Sequence, residues 1–232
     1  MGARWERTNK FLNRSGESMK LYNAQVSPFC ARVRIALYHK GLAFEAIDPP
    51  AAGFKSPEYL AINPMGKLPV LVLSDGTVIP ESEAILNYLE DAYPGVPLQP
   101  ESAKDRAPMH IAIRVLENYV TAPTTRLFPH LDPTTRNAAI VSDALNQMRE
   151  GLGYLSHYVA DAVYACGSKL TLADCCVFPS LLLCRIIAGQ FEVGDVLDGA
   201  PGLAGYFDKA RSVAAIARVH KEFEEALAAY SH

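Results

Sequence analysis

Apolar and polar positions change period along this chain. Residues 20–23 (KLYN) form a short apolar run that predicts a strand. Ser27 and Pro28 supply an N-cap and a first-turn proline, and Val33, Ala36, Leu37 and Lys40 then fall at helical spacing up to Gly41-Leu42, a helix stop. Residues 44–47 predict a second strand, and Ser56-Pro57-Glu58 opens a short helix running to Ile62. Residues 67–73 (KLPVLVL) read as a strand with a proline near its start; Ser74-Asp75-Gly76 is a tight turn, and residues 77–79 pair back as a hairpin. Ile85, Leu86 and Leu89 mark a helix over 81–93. The predicted order is βαβαββα.

Residues 94–100 (PGVPLQP) hold three prolines and a glycine, which predicts a stiff linker. Beyond it the helical period dominates: helices are expected near 103–122, 134–163, 171–189 and 202–229, the last broken around Ser212. Alternating strands and helices followed by helices alone imply two dissimilar domains. The expected division is an extension at 1–18, an α/β domain at 19–93, a linker at 94–102 and an all-α domain at 103–232. The extension, MGARWERTNKFLNRSGES, has scattered charge and no apolar core, unlike a secretory signal. It reads as a disordered stretch, a tag or an upstream start.

Bulk composition changes this picture little. Of 232 residues, half are hydrophobic and a fifth charged, as in a water-soluble globular protein, and a net charge of −3 gives no reason to expect nucleic acid or an anionic membrane as partner. No apolar run is expected to reach membrane-spanning length. The five cysteines are odd in number and form no C-x-x-C pair, so neither a disulfide framework nor a metal site is expected.

Four local patterns carry a resemblance: S-P-F-C-A-R-V-R-I-A-L at the first helix, N-P-M-G-K-L-P-V-L at the third strand, P-E-S-E-A-I at the third helix, and L-T-L-A-D in the helical half. In this order they resemble the cytosolic glutathione transferases of the Ser active-site type. The resemblance implies a thioredoxin-like domain that binds glutathione, an all-α domain that holds a hydrophobic electrophile, a cytoplasmic location and a homodimer pairing the first domain of one chain with the helical domain of the other.

It also assigns roles. Ser27 supplies the hydroxyl that hydrogen-bonds the glutathione sulfur. Physically, a thiolate is the nucleophile, and a hydroxyl donor at the positive end of a helix favours it. The bland alternative is a plain N-cap. Cys30, three residues on, is either a small buried residue or a thiol with redox chemistry. Phe29, Lys67, Leu68, Pro69, Glu81 and Ser82 are the implied glutathione-binding residues. Pro69 is expected to be cis and the Leu68 backbone to pair with the peptide. Glu81 and Ser82 meet its γ-glutamyl end, Ser82 doubling as a helix cap, and Lys67 meets its glycine carboxylate or water. Candidates for the second-substrate pocket are Ala24, Val26, His110, Arg114, Tyr119 and Arg126. Thr171 and Asp174 resemble a buried capping box with a folding role. Arg32 and Arg34 are expected to face water, and His39 and His110 carry no metal-binding partner. Three functions remain open: transferase through Ser27; glutathione-dependent oxidoreductase, isomerase or lyase, with Cys30 involved; and a non-catalytic binding module of the same fold.

Overall fold

The computed structural model describes residues 18–230; the expected extension, up to residue 17, lies outside them. The chain divides into two units. The first runs to Pro97 and also takes in the chain from Arg218 onward; the second is Leu98–Ala217.

In the first unit, strands β1 (Lys20–Tyr22), β2 (Glu45–Ile47), β3 (Val70–Val72) and β4 (Val78–Pro80) and helices α1 (Pro28–Lys40), α2 (Pro57–Ile62) and α3 (Ser82–Ala92) follow the predicted βαβαββα order. The sheet order is β2-β1-β3-β4, with β1–β2 parallel and the other pairs antiparallel. This is a thioredoxin-like arrangement. The strands are shorter than the apolar runs. In particular β3 starts at Val70 rather than at Lys67, whose carbonyl accepts from Tyr59 Oη and Asn63 Nδ2, both at 2.8 Å, instead of joining the ladder.

Helix α1 begins and ends where its local chemistry dictates. Ser27 Oγ accepts from Cys30 N, and Gly41, at φ 66°, lets the Leu42 N–H reach back to Leu37 O at 2.9 Å. Lys40 Nζ is buried and donates to Glu90 Oε2 at 2.7 Å and to the carbonyls of Tyr93 and Val96, both at 2.9 Å, tying the helix end to the chain after α3.

Arg32 and Arg34 correct an expectation: both are buried, at 2% and 0% exposure. The period suggested a solvent face on α1, but α3 covers one side and the chain beyond Arg218 covers another. Arg32 lies over the Phe29 ring, 4.7 Å from its centroid.

The second unit is helical: α4 (Ala103–Val115), a π-helical stretch (Leu116–Thr121), α5 (Ala122–Arg126), a 3-10 turn (Phe128–His130), α6 (Ala138–Leu155), α7 (Leu172–Gly189) and α8 (Pro201–Ala210). α9 (Ala214–Tyr230) starts here and ends in the first unit. The α8–α9 break falls around Ser212, as its sequence predicts. The helix expected over 134–163 is shorter at both ends. Asp132 folds the preceding segment into a turn by accepting from Thr134 N at 2.8 Å, and Asn137 then caps the helix. Gly151 on α6 allows close approach to the π-helical stretch, since a Cβ there would overlap the Tyr119 carbonyl oxygen.

Helix α7 overturns another expectation. Its 18 residues have a mean hydropathy of 1.8, long and apolar enough to cross a membrane, yet 72% of that window is buried inside the protein. It is largely apolar because most of it is a core helix, with Arg185 left at the surface. At its start Asp174, wholly buried, accepts from Ala165 N at 2.6 Å, Thr171 N at 2.8 Å, Thr171 Oγ1 at 3.0 Å and Tyr206 Oη at 3.1 Å. The capping reading of Thr171 and Asp174 is borne out.

Candidate active site

Sheet register gathers segments far apart in sequence. β1 ends at Tyr22, opposite Val70 where β3 begins, and Val70 pairs in turn with Pro80 where β4 ends. The loop after β1, the Leu68-Pro69 step before β3 and the Glu81-Ser82 step after β4 therefore emerge at one end of the sheet.

In the first of these segments, Ser27 is half-buried at the N-terminus of the 13-residue helix α1, with Oγ accepting from Cys30 N at 3.3 Å. A hydroxyl that accepts keeps its own hydrogen for donation. The helix terminus adds a positive local potential. Cys30 is fully buried, and its Sγ accepts from Ala24 N at 3.5 Å. Burial pushes the thiol up, opposed more weakly by the Ser27 hydroxyl, the Ala24 N–H and the Arg34 charge. A buried, protonated thiol is a poor nucleophile. All five cysteines are buried thiols. Phe29 is half-buried beneath Arg32.

In the second segment the Leu68–Pro69 peptide is cis. Lys67 is exposed, Leu68 half-exposed and Pro69 buried. Tyr59 and Asn63 were not singled out by sequence. They hold the Lys67 carbonyl, and Asn63 Oδ1 also accepts from Met65 N at 3.1 Å, so the chain entering Leu68 is braced from α2. The local signal in sequence was Asn63 at the head of the N-P-M-G-K-L-P-V-L pattern.

The third segment holds the strained residue. Glu81 sits at φ 69°, a left-handed conformation unfavourable to a side chain. It precedes the 11-residue helix α3 and makes no side-chain cap hydrogen bond; a helix N-terminus is a place where anions bind. Ser82 is buried at the first helical position, so it is not the helix cap expected from sequence; that position falls to Glu81, which is exposed.

The six pocket candidates are placed as follows. Ala24 and Val26 lie half-exposed on the loop before Ser27, in the first unit. In the second unit His110 and Arg114 are exposed on α4, and Arg114 Nη2 donates to Asn118 Oδ1 at 3.2 Å. Tyr119 is 51% exposed, with its ring edge-on to Tyr154 at 5.5 Å. Arg126 is engaged by α6, pairing with Asp143 and Gln147, both at 3.0 Å. No group of three or more metal-capable side chains gathers among the described residues.

Comparison with known proteins agrees with this layout. Residues 21–97 match the family model "Glutathione S-transferase, N-terminal domain", and residues 137–209 match "Glutathione S-transferase, C-terminal domain". The chain is 34% identical over 189 residues to a probable glutathione S-transferase of Zea mays, covering 74% of this chain and 78% of that protein. It is 32% identical over 171 residues to glutathione S-transferase 1 of Dianthus caryophyllus, covering 72% and 77%. Among solved structures, a glutathione S-transferase of Methylobacterium radiotolerans, crystallised in complex with glutathione sulfonate, superposes with a TM-score of 0.73 at 26% identity, covering 87% of this chain and 93% of that one.

Proposed function

The chain belongs to the glutathione S-transferase family, and from that premise we propose that it activates glutathione through the Ser27 hydroxyl for attack on a hydrophobic electrophile. The observation that carries this reading is Ser27 at the N-terminus of α1, its Oγ accepting from Cys30 N and so retaining a hydrogen to donate. Glutathione lies across the end of the sheet where the three segments emerge. Its cysteinyl backbone pairs with Leu68 in strand fashion. Its γ-glutamyl carboxylate meets the N-terminus of α3 at Ser82, and its ammonium meets Glu81. Lys67 faces the glycine carboxylate, and Phe29 lies beside Ser27.

Ser27 donates to the sulfur, and the helix terminus favours the anion. Each unit by which the thiol pKa falls corresponds to about 1.4 kcal/mol of preferential thiolate stabilisation. The sulfur lone pair attacks the electrophilic carbon, and either the leaving group departs or a π bond accepts the electrons and then a proton from water. Holding both partners in reach supplies the remaining acceleration. We assign the protein to the cytoplasm, as a homodimer.

Glutathione titration by calorimetry, with thiolate ultraviolet absorbance followed alongside, tests this reading in the wild type, Ser27→Ala and Cys30→Ala. The expected result is binding in all three and loss of the thiolate signal in Ser27→Ala alone. Loss in Cys30→Ala alone would replace transfer with thiol redox chemistry. No binding by the wild type at millimolar glutathione would leave a family fold kept for another partner.

A further inference from the structure

We propose that Glu222, on the last helix, is a positioning residue for the Ser27 hydroxyl, acting through Arg34 and the Gln25 carbonyl. The inference rests on the reading of Ser27 as the thiol-activating group.

The loop carrying Ser27 runs into α1, where Ser27 O accepts from Ala31 N at 2.9 Å, and it is also held by contacts before that point. Asn23 N donates to Ile47 O at 2.9 Å, Ala24 N to Cys30 Sγ at 3.5 Å and Ser27 N to Ala24 O at 3.0 Å. Gln25 itself is exposed, and its carbonyl accepts from Arg34 Nη2 at 2.8 Å. That charge-assisted bond grips the loop two residues before Ser27.

Arg34 cannot do this alone. Its side chain is 1% exposed, and a guanidinium stays charged at any working pH. A buried charge requires a counter-ion, and Glu222 Oε2 supplies it at 2.8 Å from Arg34 Nη1. Glu222 is fixed in turn: Oε1 accepts from Tyr38 Oη at 2.8 Å and from Arg218 Nε at 3.1 Å. The Arg218 guanidinium lies over the Tyr38 ring, 3.7 Å from its centroid. A carboxylate held by two other donors therefore holds the arginine that holds the loop. The worth of a donor to a developing thiolate depends on its placement, so slack in this chain is felt at the sulfur.

Glu222→Gln keeps the shape and removes the charge. The pKa of bound glutathione should rise by about half a unit to one unit, and turnover near neutral pH should fall about three- to tenfold. The KM for glutathione should stay within about twofold, because Leu68 and Ser82 are not on this loop. The double variant Arg34→Met/Glu222→Met separates positioning from folding. It removes the buried Arg34 charge together with its partly buried counter-ion, so its melting temperature should lie above that of Glu222→Gln. The Gln25 carbonyl still lacks its donor, so the thiol pKa should stay raised.

If the double variant, or Glu222→Gln where the double variant does not fold, binds glutathione with a wild-type thiol pKa while Ser27→Ala raises it, the positioning role is overturned and the role of Ser27 stands. If Ser27→Ala leaves the pKa unchanged, the reading of Ser27 falls and this inference falls with it. Raised values in Ser27→Ala and in the Glu222 variants, with KM preserved, support the inference.

Discussion

The hydroxyl of Tyr206 donates to Oδ1 of Asp174 at 3.1 Å, with both side chains wholly buried. Burial pushes the Asp174 carboxyl up, and four hydrogen bonds oppose it. Removing the carboxylate strands several buried donors at once, each costing about 1–3 kcal/mol. Asp174→Ala should therefore lose at least about 3 kcal/mol in urea unfolding. Tyr206→Phe, which strands none, should lose about 1 kcal/mol. A loss below about 1 kcal/mol for Asp174→Ala would refute the capping account.

The thiol-activating role proposed for Ser27 is separable from its role as a helix cap by two substitutions. Ser27→Ala loses the cap and should cost about 1 kcal/mol of stability, while Ser27→Gly should cost only a few tenths. Both lack the hydroxyl, so both should raise the bound thiol pKa equally, by about one unit or more. Thermal melts set beside thiolate titrations check this. Activity that followed stability rather than the hydroxyl would make Ser27 a cap and nothing more.

Two glycines on α6 should respond oppositely. Alanine at Gly151 would collide with the Tyr119 backbone, whereas a Cβ at Gly153 meets nothing within 4 Å. Gly151→Ala should destabilise by about 1–3 kcal/mol. Gly153→Ala should stabilise by about 0.5–1 kcal/mol through helix propensity. Chemical denaturation of the two variants side by side is sufficient.

Tyr38 provides a pH handle on the Glu222 cluster. Burial first, and then the Glu222 carboxylate, push its phenol from the ordinary 10.0 up to about 12. The folded protein thus keeps a proton that the unfolded chain releases. The resulting stability is present in full below pH 10 and is lost as the pH rises toward about 12. Tyr59, also pushed up to about 12 and chiefly by burial, contributes in the same window. In unfolding measurements across alkaline pH, Tyr38→Phe should flatten the wild-type decline and remove one late-titrating phenol from the absorbance titration. An unchanged slope would count against the Tyr38–Glu222 bond.

Much of this protein was legible before any coordinates. The caps at Ser27, Ser56 and Gly41 and the hairpin turn at Asp75-Gly76 are local, because they depend on hydrogen bonds within a few residues. So the order of elements followed from sequence, and the motif at Ser27 is what suggests the thiol chemistry proposed for it. Element lengths were less legible, since the ladder at β3 and the ends of α6 depend on competing partners such as Tyr59, Asn63 and Asp132.

What sequence alone determined was therefore local: where chains turn, which segments carry an apolar face, and which residue types stand at the helix start. Tertiary structure decided the long-range partners. The period of α1 left Arg34 facing water, because an amphipathic pattern records how many faces are apolar and says nothing of what covers the rest. Its partner Glu222 lies 188 residues away. Likewise only the pairing of Tyr22 with Val70 and of Val70 with Pro80 brings the Ser27 loop, Leu68 and Glu81 to one end of the sheet. A buried charge or a strand register is satisfied by whatever the folded chain places opposite it, and that choice exists only once the chain has folded.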